Sequence, residues 1–362
     1  MQTPREVIES IMRRGSPERV GLYDRPWADT LTKWLGQGMP ADARGAAVDP
    51  VEHFGFDIAR LGGVSGWKAV HGREEVIEET DEWRIVRDGN GAVLKWWKNK
   101  SGTPEHIDFA MTGREVWQRE YRPHLLAVDR RRLDLDAGPF RRRTAAGLWT
   151  CYGSRFVWEC MRAAMGDCTL YESLLTDPGW VHDYCRVYTD FYKAHYRALF
   201  EQVGVPSGVW VCEDLGYKER LFASPATLRE LIFPYYAELV EFFHGCGLAV
   251  ILHTCGFTEP ALDLILEAGF DALHPMEVKA GNDPLRIAER CGHRLALIGG
   301  MDVRVLESGD RREIRRAVAE LIEGMKARGA RYVYASDHSI STNVDYDDFR
   351  FSLDVYREHR AY

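Results

Sequence analysis

Short apolar runs recur along the last two-thirds of the chain: "LWTCYG" (148–153), "VWVCED" (209–214), "LAVILHTC" (248–255), "ALHPMEV" (272–278), "LALIGGMD" (295–302) and "RYVYASDH" (331–338). Each is brief, apolar and of β character, which is the pattern of buried strands. Between them, apolar residues recur with helical spacing over 225–246, 259–268, 310–328 and 346–359. Start signals agree with that reading. Ser224 precedes Pro225, a capping hydroxyl before the residue favoured in a first helical turn, and "SGDRREI" opens in a similar way. Strands alternating with helices of this length predict a parallel sheet covered by helices.

Two more strand-like runs lie upstream, "RVGLYD" (19–24) and "EHFGFDI" (52–58), each apolar and reaching an aspartate. Eight parallel strands close on themselves, so the predicted fold is α/β, a single (β/α)8 TIM barrel spanning 1–362 with no internal repeat. An ordinary barrel takes about 250 residues, which leaves roughly a hundred over. The surplus is placed at about 60–145 as a β-rich insertion in the N-terminal third. Within it, "EWRIVRDGNGAVLKWWKN" reads as a hairpin turning at Asp88-Gly89-Asn90-Gly91, residues that tolerate positive φ. Trp83, Trp96 and Trp97 there serve either to roof the barrel mouth or to pack a thin insertion.

Charge narrows the function. A net charge of -8 argues against a nucleic-acid surface. The basic runs 130–132 and 141–143 sit beside Asp129, Asp134 and Asp136 and read as a solvated face. No 18-residue apolar stretch exists, so no membrane span is expected. The opening "MQTPREVIESIMRRG" is unlike a secretory signal. Eight cysteines fall singly without a CxxC pair, which fits reduced thiols and a cytoplasmic location.

Barrels of this kind hold their active sites at the C-terminal ends of the strands. The predicted strands end in Asp24, Asp57, Glu213 and Asp214, His253 and Cys255, Glu277, Asp302, and Asp337 with His338. Some of these acids are expected to cap helices, but not the whole set. His253 and Cys255 are two apart on a strand and therefore face the same way. Imidazole plus thiolate is a zinc-type pair, and a catalytic zinc takes three protein ligands and keeps one position open.

"ILHTCG", "LILEAGFDALHPMEVKAGNDP", "LALIGGMD" and "YASDHSISTNVDYDDF" resemble the uroporphyrinogen decarboxylase superfamily. The likeness covers about 148–360 well and the N-terminal third loosely, through "TLTKWLGQGMP" and "HFGFD". It implies the same barrel fold, and one of two chemistries: tetrapyrrole decarboxylation or cobamide-dependent methyl transfer. "GLYDRPWADTL", with only Arg25, stands where the decarboxylases carry an arginine-bearing "RQAGRYMPE" segment, and "TCYGSRFVWE" where they carry "GAPWT". The HxC pair, absent from decarboxylases, points to the methyltransferase branch.

In that branch an HxC pair and a later cysteine bind zinc, and His338 falls on the cysteine position. The resemblance thus implies Zn2+ on His253, Cys255 and His338; the alternative has Glu277 as third ligand and His338 as a base. It also implies a cobamide, on a corrinoid partner protein or as substrate, and a homodimer. Asp57 matches the decarboxylases' catalytic aspartate. Glu213, Asp214, Asp302 and Asp337 complete the expected catalytic set, and Tyr217, Lys218 and Tyr152 the substrate contacts. The expected function is zinc-dependent methyl transfer between a methylated small molecule or methyl-cobamide and a thiol or cobamide acceptor. The alternative is metal-independent decarboxylation of a tetrapyrrole-like or aromatic acid.

Overall fold

The computed structural model describes residues 2–362. Its strands are β1 (Gly21–Leu22), β2 (Ile58–Gly63), β3 (Glu75–Glu79), β4 (Trp83–Arg87), β5 (Ala92–Trp97), β6 (Glu105–Phe109) and β7 (Trp149–Ser154). They continue with β8 (Gly208–Cys212), β9 (Gly216–Tyr217), β10 (Arg220–Leu221), β11 (Ala249–His253), β12 (Ala272–His274), β13 (Ala296–Ile298) and β14 (Tyr332–Tyr334). Eight of them form one parallel sheet in the order β1-β14-β13-β12-β11-β8-β7-β2. The sheet curls into a TIM-barrel-like α/β fold. Its two edges meet where the Asp57 N–H donates to the Leu22 carbonyl at 2.8 Å, a contact rather than a ladder.

Strand pleating sorts the side chains into two layers. Ile58, Trp149, Cys151, Trp210, Ile251, Ala272, Ala296, Ile298 and Val333 fill the barrel interior. Alternate residues such as Val209, Val211, Leu252 and Leu297 face the helices and join the larger outer core. The helix Pro4–Met12 closes the N-terminal end, its Val7, Ile8, Ile11 and Met12 packed into the interior cluster. Thr3 and Glu6 form a capping box around its first turn, with Pro4 at the first helical position.

Two expectations need correction. Residues 52–58 are not a strand: Asp49 caps the Val51 N–H, Pro50 opens a helix to Phe54, and Gly55 at φ +76° ends it. The strand is β2, so Asp57 sits at its N-terminal end. The 225–246 helix is two, Pro225–Leu231 and Phe233–Gly245. Pro234 lacks the N–H that a continuous helix would use and is tolerated only in a first turn.

Between β2 and β7, β3 to β6 form an antiparallel sheet in sequential order. Its turn is closed by Gly91 N–H to Asp88 O, while the Asp88 carboxylate accepts from the Asn90 and Ala92 amides. Val86, Ala92, Leu94 and Phe109 make a small core, and β5 and β6 lie against the helix Trp158–Thr176. Gly166 in that helix has φ +73°, and a Cβ there would meet the Phe109 ring at 2.4 Å. Trp83 and Trp97 flank the Lys95 ammonium at 4.7 and 4.5 Å, and Trp96 and Trp97 are each 41% exposed. Trp83 and Trp97 share one face of this sheet with Lys95, and Trp96, the next residue along β5, faces the other way. Among the described residues, no helix is long and apolar enough to cross a membrane.

Candidate metal centre

Backbone amides occupy most of the acids at the strand ends. Asp24 accepts from Arg25 N–H at 2.8 Å and from the Ser336 amide and hydroxyl at 3.1 and 2.6 Å. Asp337, fully buried, ties the Val278 and Val303 amides together at 2.9 Å each. Asp302 caps the helix Val303–Glu307 through Arg304 N–H and holds the Arg304 side chain. Glu277 accepts from Gly256 N–H at 2.7 Å, with Lys279 at 3.4 Å. Glu213 accepts from the Phe156 and Trp158 amides and the Tyr236 hydroxyl at 2.6 to 2.7 Å. Burial pushes its carboxyl up to about 8, against the pull of the Tyr236 hydroxyl.

The expected catalytic set therefore shrinks. Glu213, Asp302 and Asp337 are scaffold acids, because a carboxylate is the natural acceptor for loose amides at helix starts and turns. Asp57 is farther still from the chemistry. At the barrel floor it takes both Arg19 guanidinium nitrogens, at 2.6 and 2.8 Å, and the Leu22 amide at 2.7 Å. Tyr152 points outward: its hydroxyl donates to Gly204 O at 3.0 Å and its ring stacks on Phe200.

Asp214 follows Glu213 by one residue and so faces the other way, into the mouth. There it meets His253 and Cys255. One ligand atom from each of the three lies within 4.8 Å of the other two. His253 Nε2 is 3.4 Å from Cys255 Sγ and 3.7 Å from Asp214 Oδ1, and that oxygen accepts the Cys255 N–H at 2.9 Å. Gly256, at φ +81°, lets the chain turn here. A Cβ on it would strike the Gly216 carbonyl carbon at 2.2 Å, so no other residue fits against β9.

Behind His253 stands His274, with the two Nδ1 atoms 2.6 Å apart. One must carry the proton and the other accept it. If His253 Nδ1 is the donor, its Nε2 keeps a free lone pair facing Cys255 and Asp214, the arrangement of an oriented metal-ligating imidazole. Burial pushes the His253 imidazole down to about 4, opposed by Asp214 and helped by Arg60 and His338. His274 falls well below the usual range, again through burial first and then its neighbour His253. Burial, then the Asp214 and Glu277 charges, drives the Cys255 thiol well above its ordinary value. A divalent cation would reverse that last shift, since coordination deprotonates a thiol. Neutral nitrogen, sulfur and carboxylate oxygen converging in this way fit zinc. The third donor that the geometry offers is Asp214, where His338 or Glu277 was expected. His338 stands apart, its Nδ1 3.2 Å from Ser339 O and its ring edge-on to Trp27.

Two cavities flank the cluster. An outer cleft of about 480 Å³ reaches Cys255 and is walled by Tyr217, Lys218, Lys279 and Arg304, so the two expected substrate residues on β9 and its turn do line a cavity beside the thiol. An inner hollow of about 80 Å³ is lined by Arg60, Trp210, Cys212, His253, His274 and His338, with Tyr23, Asp24, Arg25 and Ser339 completing its wall. The sequence reading missed His274 and Arg60. Parity with Ala272 puts His274 on the inward face, whereas Arg60 lies beyond the predicted strand and no local signal reached it.

The comparisons agree with the fold. Residues 162–359, more than half of the chain, match the family model described as Uroporphyrinogen decarboxylase (URO-D). A methyltransferase from Methanosarcina mazei is similar in structure, with a TM-score of 0.67 at 14% identity over 99% of both chains. An L-ribulose 3-epimerase matches more weakly, at a TM-score of 0.40 and 14% identity, over 63% of this chain and 74% of its own. No curated protein matches the chain. The chain belongs to the uroporphyrinogen decarboxylase family.

Proposed function

We propose that this protein is an enzyme that transfers a methyl group, with zinc held by Asp214, His253 and Cys255. The observation that carries the reading is the convergence of those three donors at a barrel mouth, with His274 fixing the His253 ring. Zinc, when bound, supplies a Lewis acid that stabilises a thiolate or polarises the atom that gives up the methyl group.

The chain's own residues supply the rest. His274 orients the His253 ring through the shared Nδ1 proton. Asp214 fixes the backbone at Cys255 by accepting its amide proton. Tyr217 and Lys218 face the cleft through which a substrate reaches Cys255. The reading includes a methylated small molecule or a methyl-cobamide as donor, and a thiol or a cobamide as acceptor. It also includes a corrinoid protein as partner and a homodimer. Support for the methyltransferase branch comes from the HxC pair and from the structural likeness to the Methanosarcina mazei methyltransferase.

The decarboxylase alternative loses ground because its proton donors are engaged. Asp57 sits at the floor, paired with Arg19, and Asp337 is tied to two amides.

Metal analysis tests the proposal. The purified protein should hold about one zinc per chain. His253→Ala, Cys255→Ala and Asp214→Ala should each lose it, whereas Glu277→Gln and His338→Ala should keep it. Full zinc in Cys255→Ala would overturn the ligand set. A metal-free preparation that transfers methyl groups at full rate would sink the reading altogether.

A further inference from the structure

The buried and half-buried arginines Arg19, Arg132, Arg162 and Arg331 have partners. Arg19 forks onto Asp57, and Arg162 onto Glu159 and Asp167. Arg132 donates to four backbone carbonyls, from Gly66, Lys68, Ala69 and His124. Arg331 donates to Ile11 and Met12. Arg60 departs from this rule. On β2 its side chain points inward, lies over the Trp210 ring at 5.2 Å, and reaches the Cys212 sulfur at 3.8 Å with the Tyr23 hydroxyl beside it. Among the described residues no carboxylate pairs with it.

A guanidinium carries five N–H donors and stays charged in proteins. A thiol, one phenol and an aromatic face leave most of those donors unmet, and an uncompensated charge inside a protein is costly. The guanidinium opens on the inner hollow, with Arg25 on the same wall. Asp24 is the one carboxylate there, and three donors from Arg25 and Ser336 already engage its oxygens. The three histidines on the wall add no negative charge. Apart from the engaged Asp24, the hollow is therefore walled by cations and neutral groups, and no carboxylate answers Arg60.

We propose that this inner hollow is an anion subsite, in which the Arg60 guanidinium takes a carboxylate-type group of the substrate. At about 80 Å³ the hollow has room for a single head group. The planar fork of arginine matches a carboxylate through two parallel hydrogen bonds. His253 lies on the same wall, so a head group anchored at Arg60 would present the rest of a small acid to the Asp214–His253–Cys255 cluster. That last step rests on the methyl-transfer reading; the anion site does not.

Acetate is the probe, with neutral acetamide of the same shape as its control. Calorimetric titration of the purified protein should show acetate binding and no acetamide binding. Arg60→Met should weaken acetate by about tenfold to a hundredfold, the range for losing hydrogen bonds to a charged group, with zinc content unchanged. Arg60→Lys keeps the charge and loses the fork, so it should fall between. Equal binding of acetate and acetamide overturns the proposal, as does acetate binding that is unaffected by Arg60→Met. If Arg60→Met fails to fold, Arg60→Lys decides, and wild-type acetate affinity there overturns it. Acetate that is lost on chelation yet retained in Arg60→Met would lie on the metal, which also overturns it. A protein that never holds zinc but binds acetate through Arg60 refutes the methyl-transfer reading and leaves the subsite standing.

Discussion

The two ends of the barrel are both polar, and only one is built for chemistry. At the floor the buried charges have partners. Asp57 meets Arg19 and the Leu22 amide, and Arg331 donates to the carbonyls of Ile11 and Met12 at the end of the closing helix. At the mouth, His253 is held by His274, yet its Nε2, the Cys255 thiol and the Arg60 guanidinium face cavities. A charged residue at a strand end is thus no mark of function by itself. The mark is a donor or acceptor that the backbone has left free.

The sharpest test of this contrast is to break the floor. Asp57→Ala strands the Arg19 guanidinium, whose side chain is only 14% exposed. Removing one partner of such a pair should cost about 3–5 kcal/mol in denaturant unfolding, with zinc per folded chain unchanged. A loss under about 1 kcal/mol would class the pair with ordinary surface ion pairs and erase the contrast.

Asp24 tests the converse, a mouth residue that behaves as scaffold. Burial outweighs its three hydrogen bonds and pushes its carboxyl up to about 6. Between pH 4 and 6 the folded state therefore keeps a proton that the unfolded chain, with a carboxyl near 3.9, has released. Its contribution is complete below about pH 4 and fades as pH rises through 6, by up to about 3 kcal/mol. Asp24→Asn should flatten the stability profile over that window. A variant whose stability falls as steeply as wild type would mean that another group sets the slope.

The smallest effect is expected from His274→Phe, which removes the partner of His253 Nδ1 without touching a proposed ligand. Losing such an orienting group should weaken zinc by about 10–100-fold, or roughly 1.4–2.7 kcal/mol. Competition with a chelator measures it. Unchanged affinity would make His274 a packing residue beside Trp210 and Tyr23, whose rings it already meets at 4.8 and 6.0 Å.

The barrel was legible because buried parallel strands leave unbroken apolar runs, and "LAVILHTC" and "RYVYASDH" are such runs. The shared face of His253 and Cys255 followed from the two-residue repeat of a strand. "EHFGFDI" misled because its aromatic residues look strand-like, although Asp49, Pro50 and Gly55 carry the start and stop signals of a short helix. Arg60 was assigned to the edge of the insertion, since nothing local shows that β2 runs on to Gly63. His274 stayed hidden for a different reason. Its importance lies in a contact with His253 across two strands, and pairing across strands is not written in either segment alone.

Glu213 and Asp214 are chain neighbours with opposite assignments, one gathering helix starts behind the sheet and the other facing the cleft. That gives the segment two independent histories. Selection for a new reaction can rewrite Cys212 and Asp214 while Val211 and Glu213 keep the scaffold, and drift in the scaffold leaves the reactive positions alone. Deletion of a single residue between Gly208 and Glu213 would be far harsher than any substitution. It would carry the Glu213 carboxylate to the cleft and Asp214 into the helices, so lineages of this barrel should tolerate swapped side chains here and almost never a changed length.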